Sequence, residues 1–345
     1  GPRKDHRAPF FEHTASAAVQ QLVIVVRGIC GLRFVHSRHL CIAASLAQEP
    51  FHIPMKPLLI LPFLALLASC VMPGSRQGVD VVLPMHFRAD VPHVMASINR
   101  RAPLPMLLDS GASVTAFETS VATRNAIAAI GVRTKLKGIH GEALASQGMI
   151  HTLDIGPLHQ EHVNCFIQAG SGSRPGGLGG AILGINLFSH QCSFITYDYR
   201  ARRVEISYSR PFVPQSAGIT RTPFRLVRGI PEISVTSDGI TWDAVVDTGS
   251  SWGIVVDQAT ATKLGQPHGG MPLGPGMLLS GVGGSVRADE ANARIITAPE
   301  VSLCGQSFRG AKLYVMPGPN RIGSRFWHGH RMTLDFRTST LWLER

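Results

Sequence analysis

Residues 106–111 read MLLDSG and residues 244–249 read AVVDTG, and these two stretches decide the fold of this 345-residue chain. In each, an apolar run typical of a buried strand ends at an aspartate, Asp109 or Asp247, which a hydroxyl residue and a glycine follow. A carboxylate at the end of an apolar strand is costly unless polar groups accompany it. Two such carboxylates, one in each half of the chain, predict a shared site built from two copies of one unit.

The similarity between the two copies extends beyond these stretches. A proline opens a predicted strand before each aspartate, at Pro92 and at Pro231. An apolar element that ends in glycine follows each aspartate, at residues 182–184 (ILG) and 321–323 (RIG). Its glycine lies 75 residues after the first aspartate and 76 residues after the second. The matched spacing predicts two tandem copies in register.

Composition and periodicity predict an all-β fold class, mostly β with short helices, because apolar residues alternate, glycine and proline are frequent, and long helical patterns are few. In each copy a short helix is predicted to end at a glycine, Gly131 or Gly265. Residues 207–218 contain proline and serine and are predicted to link two lobes, residues 71–214 and residues 215–345.

The paired Asp-Ser/Thr-Gly motifs and the paired apolar-apolar-glycine elements resemble those of the aspartic proteases of the pepsin and retropepsin type, over residues 80–345. The resemblance implies two homologous retropepsin-like β-barrel lobes with the active site between them, and it implies that Asp109 and Asp247 are catalytic. Arg321 departs from the family, in which an apolar residue is usual there. The tyrosine expected on a pepsin-type flap is also missing, so pepsin-like substrate contacts do not carry over.

Two adjacent carboxyl groups suit the hydrolysis of peptide bonds by water, which needs a base to activate the water and an acid to protonate the leaving nitrogen. Because two carboxyl groups held close together cannot both ionise cheaply, they share a proton, and their pKa values belong to the pair. This chemistry predicts an aspartic endopeptidase, a hydrolase, in which Asp109 and Asp247 activate a water between them. No cofactor and no metal are implied.

The residues predicted to support the catalytic loops are Ser110, Gly111, Thr248, Gly249 and Ser250. The hydroxyls of Ser110 and Thr248 would brace the two loops against each other, and the glycines would let the main chain approach the carboxylates closely. Ser250 has no counterpart in the first copy, where alanine follows the glycine. If Ser250 donates to a carboxylate, it favours the ionised form. Asp247 would then be the charged partner and Asp109 the protonated one.

Two glycine-flanked turns are predicted to close as flaps over an extended polypeptide substrate. Their predicted substrate-binding residues are Gly138, Ile139, His140 and Gly141 in the first turn and Val282 and Gly283 in the second. Closure would exclude water and strengthen the electrostatics of the dyad. The expected form is a monomer with two lobes.

The beginning of the chain is predicted to lie outside the folded protease. After Met55 come a lysine, a 12-residue apolar run and small residues before Cys70, which is typical of a signal peptide and too short to span a membrane. Residues 67–70 (LASC) resemble a bacterial lipobox, so Cys70 is expected to carry a lipid; an ordinary secretory signal or an N-terminal anchor is the alternative. Residues 55–70 are thus predicted to be a lipoprotein-type signal peptide, and residues 1–54 an upstream segment that is non-native or disordered.

These features predict a location in the periplasm of a Gram-negative-type cell, with a lipid anchor in the outer or the inner membrane. The chain carries 33 Lys and Arg against 22 Asp and Glu, a formal charge of +11. The charges are scattered and no recognisable module accompanies them, so nucleic acid is not an expected partner. A weak attraction to an anionic envelope and simple solubility are equally open explanations of the charge.

The cysteines and histidines leave two further questions open. The predicted lobes contain Cys165, Cys192 and Cys304, for which buried free thiols are preferred, and at most one intrachain disulfide can form among them. A metal-dependent hydrolase could use His159, His162 and Cys165, but their spacing fits no familiar zinc pattern, and residues 159–162 are predicted to form a hairpin turn instead.

Two alternatives to a metal-free protease therefore stand. A duplicated protease-like scaffold that is catalytically silent could bind peptides or envelope components, although both aspartates are present. A metal-dependent envelope hydrolase would be inhibited by a chelator, whereas a metal-free protease with two catalytic aspartates would not.

The glycine-rich residues 170–180 lack the Gly-Lys-Ser/Thr ending of a phosphate-binding loop, so they are predicted to form a flexible connection.

Overall fold

The computed structural model describes residues 80–138, 141–168, 180–216, 218–281 and 284–345. These residues belong to one compact unit, Gly74–Arg345. Several predicted features lie outside the described residues: the upstream segment and the signal peptide with Cys70, most of the glycine-rich loop, and the flap residues Ile139, His140, Val282 and Gly283.

Strands dominate the described part of the chain, which confirms the mostly β fold class with short helices. The 23 strands are β1 (Val81–Pro84), β2 (His86–Arg88), β3 (Val91–Ile98), β4 (Leu104–Asp109), β5 (Ala116–Glu118), β6 (Ala128–Gly138), β7 (Gly141–Ile155), β8 (Leu158–Gln168), β9 (Ala181–Gly184), β10 (Phe194–Asp198), β11 (Arg203–Ser207), β12 (Thr220–Val227), β13 (Ile230–Ser237), β14 (Ile240–Asp247), β15 (Ile254–Val256), β16 (Met271–Pro272), β17 (Leu278–Gly281), β18 (Gly284–Arg287), β19 (Arg294–Leu303), β20 (Gln306–Val315), β21 (Arg321–Gly323), β22 (Arg331–Asp335) and β23 (Thr340–Glu344). The helices are α1 (Thr119–Arg124), α2 (Gln258–Lys263) and α3 (Ser324–Trp327), with a 3-10 turn at Ile185–Leu187.

One strand order occurs twice in the sheets. The eight-stranded sheet contains the order β3-β4-β9-β5-β8-β7, and the 13-stranded sheet contains β13-β14-β21-β15-β20-β19. In each copy the last strand of this series also pairs with the first, through β3–β7 and β13–β19, which curls the sheet into a barrel-like form. The tandem repeat seen in the sequence is thus a repeat of topology, with the aspartate-bearing strands β4 and β14 in equivalent places.

A run of antiparallel strands joins the two copies. The order β1-β11-β10-β22-β23-β12 lies within the 13-stranded sheet, and β10 of the first copy pairs with β22 of the second, with Ile195 opposite Leu334. Tyr197, Ile195, Met332 and Leu334 on these strands are fully buried. One hydrophobic core cluster contains residues of both copies, so the two halves share a common core.

The inner strands show why the motifs read as continuous apolar runs. Met106, Leu107 and Leu108 of β4 are all buried, as are Val245 and Val246 of β14. Successive side chains of a strand point to opposite faces of the sheet, so the burial of consecutive residues shows that both faces of β4 and of β14 are covered. Alternation is lost where both faces of a strand are covered.

The predicted end of the first helix is wrong, whereas the second is confirmed. The helix α1 ends at Arg124, because the Asn125 side chain donates to the carbonyl of Val121 at 2.8 Å and Ala126 adopts a φ of 53°. Gly131 lies within β6 instead. In the second copy α2 ends at Lys263, and Gly265 follows with a φ of 73°.

The hairpin turn predicted at residues 159–162 is also wrong. The turn lies at Gly156 and Pro157, between β7 and β8, and residues 159–162 belong to β8. Gly156 has a φ of 58°, a left-handed conformation that glycine adopts readily. The position of the turn is therefore set by the conformational preferences of Gly156 and Pro157, and the polar residues 159–162 continue as a strand.

Candidate active site

The two predicted aspartates lie at the carboxyl ends of equivalent strands, and each strand runs parallel to an apolar-apolar-glycine element. Asp109 at the end of β4 pairs with Gly184 of β9, and Asp247 at the end of β14 pairs with Gly323 of β21. Asp247 is buried, and Asp109 keeps a partly exposed edge. The repeated topology thus places one carboxyl group from each copy at one site.

The glycine of each motif lies against the carboxyl group of the other copy. A Cβ atom on Gly249 would lie 2.5 Å from Cγ of Asp109, and a Cβ atom on Gly111 would lie 2.7 Å from Cγ of Asp247. Both distances are far below van der Waals contact, so any side chain at these positions would displace a carboxyl group. The structure therefore brings Asp109, Gly111, Asp247 and Gly249 together.

The hydroxyl residues brace the two loops reciprocally. The Thr248 hydroxyl donates to the carbonyl of Leu108 at 2.7 Å and accepts from the N–H of Ser110 at 2.9 Å. The Ser110 hydroxyl donates to the carbonyl of Val246 at 2.6 Å and accepts from the N–H of Thr248 at 3.0 Å. Both side chains are fully buried. Four main-chain groups thus find partners across the site, which fixes the position of each loop relative to the other.

Thr248→Val is expected to lower the free energy of unfolding by about 2–6 kcal/mol, because it keeps the shape of the side chain but leaves two buried main-chain groups without partners, each at about 1–3 kcal/mol. Urea denaturation measures the change. Thr248→Ser keeps the hydroxyl and serves as the matched control, with an expected loss of about 1 kcal/mol for the missing methyl group. Equal stabilities of the valine and serine variants would show that the brace contributes nothing.

The elements that end in Gly184 and Gly323 lead into residues whose main-chain N–H groups bond the aspartate loops. In the first copy the N–H of Ile185 donates to the carbonyl of Ala112 at 2.9 Å; in the second the N–H of Ser324 donates to the carbonyl of Ser250 at 2.7 Å. The Ser324 hydroxyl also donates to the carbonyl of Thr248 at 2.8 Å and bonds the Tyr199 hydroxyl at 2.9 Å. Each aspartate loop is therefore fixed both by its own copy and by the other.

The two carboxyl groups differ in their electrostatic surroundings. Burial, and next the charge of Asp247, raise the pKa of Asp109 to about 8. Burial raises the pKa of Asp247 as well, but the Arg321 guanidinium and the N–H of Ser250 oppose that rise. At a pH between the two ionisations, Asp109 keeps the proton and Asp247 carries the charge.

Asp247 as the charged partner agrees with the expectation from the sequence, but the group of Ser250 that donates to it is the main-chain N–H and not the hydroxyl. The main-chain N–H of Ser250 donates to Oδ1 of Asp247 at 3.0 Å, whereas the Ser250 hydroxyl has no hydrogen-bond partner among the described residues. In the first copy the N–H of Gly111 donates to Oδ1 of Asp109 at 2.8 Å. Loop geometry, rather than the choice of serine over alanine, provides these donors.

Arg321 is a site residue that the sequence pattern does not identify. It occupies the first position of β21, where the first copy has Ile182, and its side chain is buried with Nε 3.9 Å from Oδ2 of Asp247. A signal for its role was present in the sequence. An arginine within an apolar element that supports a carboxylate is expensive to bury without a charged partner.

The described glycines of the two predicted flaps lie at the ends of paired strands. Gly138 of β6 pairs with Gly141 of β7, and Gly281 of β17 pairs with Gly284 of β18. The predicted flap residues 139–140 and 282–283 lie outside the described part of the chain.

The described histidines and cysteines are not brought together at one place in the fold. His159 pairs with Asp154 and with Glu161 on neighbouring strand positions, while Cys165 is buried in the core. Within the described ranges no group of three or more His, Cys, Asp or Glu residues is placed to hold a metal ion.

The three cysteines that the structure describes are buried free thiols, as preferred from the sequence. Burial raises the pKa of Cys165 and of Cys192 to about 12 and that of Cys304 further still. These thiols are therefore poor nucleophiles and poor metal ligands at neutral pH.

No helix in the described part is both long and apolar enough to cross a membrane.

Part of the chain is similar in sequence to a known protein family. Residues 94–187, which include Asp109 and the element at Gly184, match a family model described as aspartyl protease. The crystal structure of an aspartic proteinase from Irpex lacteus is similar with a TM-score of 0.45 and 12% identity, over 77% of this chain and 97% of that chain. No curated protein sequence matches the chain. The first copy is thus similar in sequence to aspartyl proteases.

Proposed function

We propose that this protein is an aspartic endopeptidase, which hydrolyses peptide bonds with a water activated between Asp109 and Asp247. The observation that carries the proposal is the reciprocal approach of the two loops, in which the glycine of each copy lies against the carboxyl group of the other. The match of residues 94–187 to aspartyl proteases supports the same class of reaction.

The expected chemistry follows from the unequal carboxyl groups. Asp247, ionised, takes a proton from the water as the water oxygen bonds to the carbonyl carbon of the substrate, and Asp109 donates its proton to the carbonyl oxygen. In the second step Asp247 passes its proton to the amide nitrogen, the C–N bond breaks, and Asp109 recovers a proton from the hydroxyl. The products are an amine and a carboxylic acid, and the dyad returns to its initial state.

The substrate of this reaction would be a polypeptide in extended conformation, lying across the aspartates with residues 71–214 and 215–345 as two lobes on either side. The predicted flaps, residues 138–141 and 281–284, would close over it, since closure that excludes water strengthens the electrostatics of a buried pair of carboxyl groups. A single chain supplies both aspartates, which fits a monomer.

We further propose that the protein is exported with residues 55–70 as a lipoprotein-type signal peptide and held at the outer or the inner membrane, facing the periplasm, by a lipid on Cys70. The support is the order of a charged start, an apolar run and small residues before the cysteine. Labelling of growing cells with a palmitate analogue, comparing the native chain with Cys70→Ser, tests this.

The function is tested by incubating the purified protein with a denatured protein substrate from pH 3 to pH 8. We expect cleavage that a statine-type inhibitor blocks and a chelator leaves unchanged, because a hydroxyl of the inhibitor replaces the water between the carboxyl groups. Cleavage that the chelator abolishes and the statine spares would support the metal-dependent hydrolase. A folded protein that binds peptides without cleaving them at any pH would support the silent scaffold.

A further inference from the structure

The two copies differ in charge at one position of the strands that pair in parallel with the aspartate-bearing strands. In the parallel pairing of the first copy, Ile182 stands opposite Leu107; in the second, Arg321 stands opposite Val245. Each of these two residues lies two positions before the glycine that supports its aspartate loop. An ionised side chain therefore occupies a place that the fold fills with an aliphatic one in the other copy.

The guanidinium group of Arg321 is fixed by the loop that precedes β21. Its Nη1 donates to the carbonyl of Pro319 at 3.0 Å and to that of Pro317 at 3.4 Å. Its Nε is buried and has no hydrogen-bond partner among the described residues, and it lies 3.9 Å from Oδ2 of Asp247. The arginine is thus anchored at one end, while its unpaired N–H lies beside the carboxylate.

We propose that Arg321 is a positioning residue that keeps Asp247 ionised and thereby moves the working range of the dyad toward lower pH; this inference rests on the proposed peptidase function. Arg321 is 3% exposed, so it acts on the substrate only through Asp247. With Asp109 protonated, the positive guanidinium and the negative carboxylate of Asp247 neutralise each other, and the buried site carries no net charge.

The other titratable groups around Asp247 do not supply this effect. Asp109, on β4, opposes ionisation of Asp247 through like charge when both are deprotonated. Tyr199, which follows β10, stays neutral, because burial raises its pKa above its ordinary value. Among the groups that act on the carboxylate, Arg321 carries the positive charge.

The consequence is a displaced pH profile. An opposite charge within about 4–6 Å typically lowers the pKa of a carboxyl group by about 1–3 units. In a plot of kcat/KM against pH, replacing Arg321 with a neutral residue should therefore move the acidic limb to higher pH by about 1–3 pH units. At pH values below the limb, kcat/KM should fall about 10-fold for each pH unit of this displacement. The alkaline limb, at which Asp109 loses its proton, should rise less, because Arg321 acts on the carboxylate of Asp247 and is not among the groups that shift the pKa of Asp109.

The experiment compares Arg321→Gln, Arg321→Met and Arg321→Lys in the full chain. Glutamine removes the charge and keeps amide donors for the loop carbonyls, methionine removes both, and lysine keeps the charge. We expect the acidic limb of the glutamine and methionine variants to lie at higher pH than that of the native protein. The acidic limb of the lysine variant should stay within about half a pH unit of the native one. Arg294→Met removes another buried arginine of the same copy, one that bonds main-chain carbonyls, and should leave the profile in place.

Two readouts separate this inference from the proposed function. The first is kcat/KM against pH; the second is the titration of the ¹³C-labelled aspartate carboxyl carbons by NMR, which needs no peptidase activity. If the protein cleaves nothing, the carboxyl titration of the neutral variants should still shift upward. Unshifted titrations in both folded neutral variants, or a lysine variant that shifts as far as they do, would overturn the inference.

Discussion

Asp109→Asn is expected to lower the rate of peptide hydrolysis by about 10²–10⁴-fold or more and, in the same protein, to increase stability at neutral pH. The loss of activity follows because an amide can neither donate the shared proton nor take it back. Asp247→Asn removes the base and should lose activity to a similar degree. These opposite effects of one substitution are specific to a carboxyl group that the fold holds protonated.

The gain in stability follows from the raised pKa of Asp109. In the unfolded chain this group ionises near its ordinary value of 3.8, whereas in the folded protein it keeps its proton up to about 8. Its contribution to stability is therefore fully present below about pH 4 and is lost as the pH rises to about 8, at up to about 1.4 kcal/mol for each pH unit. Asparagine does not titrate, so the variant should lack this decline.

Urea denaturation of the native protein and of Asp109→Asn at pH 4, 6 and 8 measures the difference. Asp243→Asn is a suitable control, since Asp243 is an exposed residue of the strand that carries Asp247 and pairs with Arg225; it should leave activity and the pH dependence of stability unchanged. Parallel pH dependences of the native protein and Asp109→Asn would mean that Asp109 is not the protonated partner.

Gly323→Ala should destabilise the protein by about 3 kcal/mol or more, at the upper end of what overpacking costs. A Cβ atom on Gly323 would lie 2.7 Å from the main-chain oxygen of Ser250, and this oxygen already accepts the N–H of Ser324. Because the obstacle is main chain, the loop that bears Asp247 must move. Activity should fall together with stability.

Gly253→Ala provides the matched comparison for this prediction. The nearest atom to a Cβ at Gly253 would be Cε2 of Tyr314 at 3.8 Å, an ordinary contact, so the change should stay within about 1 kcal/mol. Denaturation curves of both variants under the same conditions give the result. A Gly323→Ala protein as stable as Gly253→Ala would show that the element does not hold the loop.

The strands that bear the aspartates could be predicted because burial on both faces leaves an unbroken apolar run, and the repeat could be predicted because both copies keep the same spacing. The end of α1 could not, since it depends on an Asn125 side chain that bonds back to Val121. The place of Arg321 could not either. Its role arises from carbonyls of Pro317 and Pro319 and from Asp247, which only the folded chain brings together.

The braces at the aspartates have a consequence for how the molecule comes into being. Each joins residues 136 to 140 positions apart in the chain, and contacts of such long separation form late because a large loop must be closed first. When only the first copy has been synthesised, Asp109 is present and Asp247 is not, so the site is incomplete. The pair of aspartates is complete only after β14 and β21 have joined the fold, so under the proposed function a partly synthesised chain should not cleave peptides.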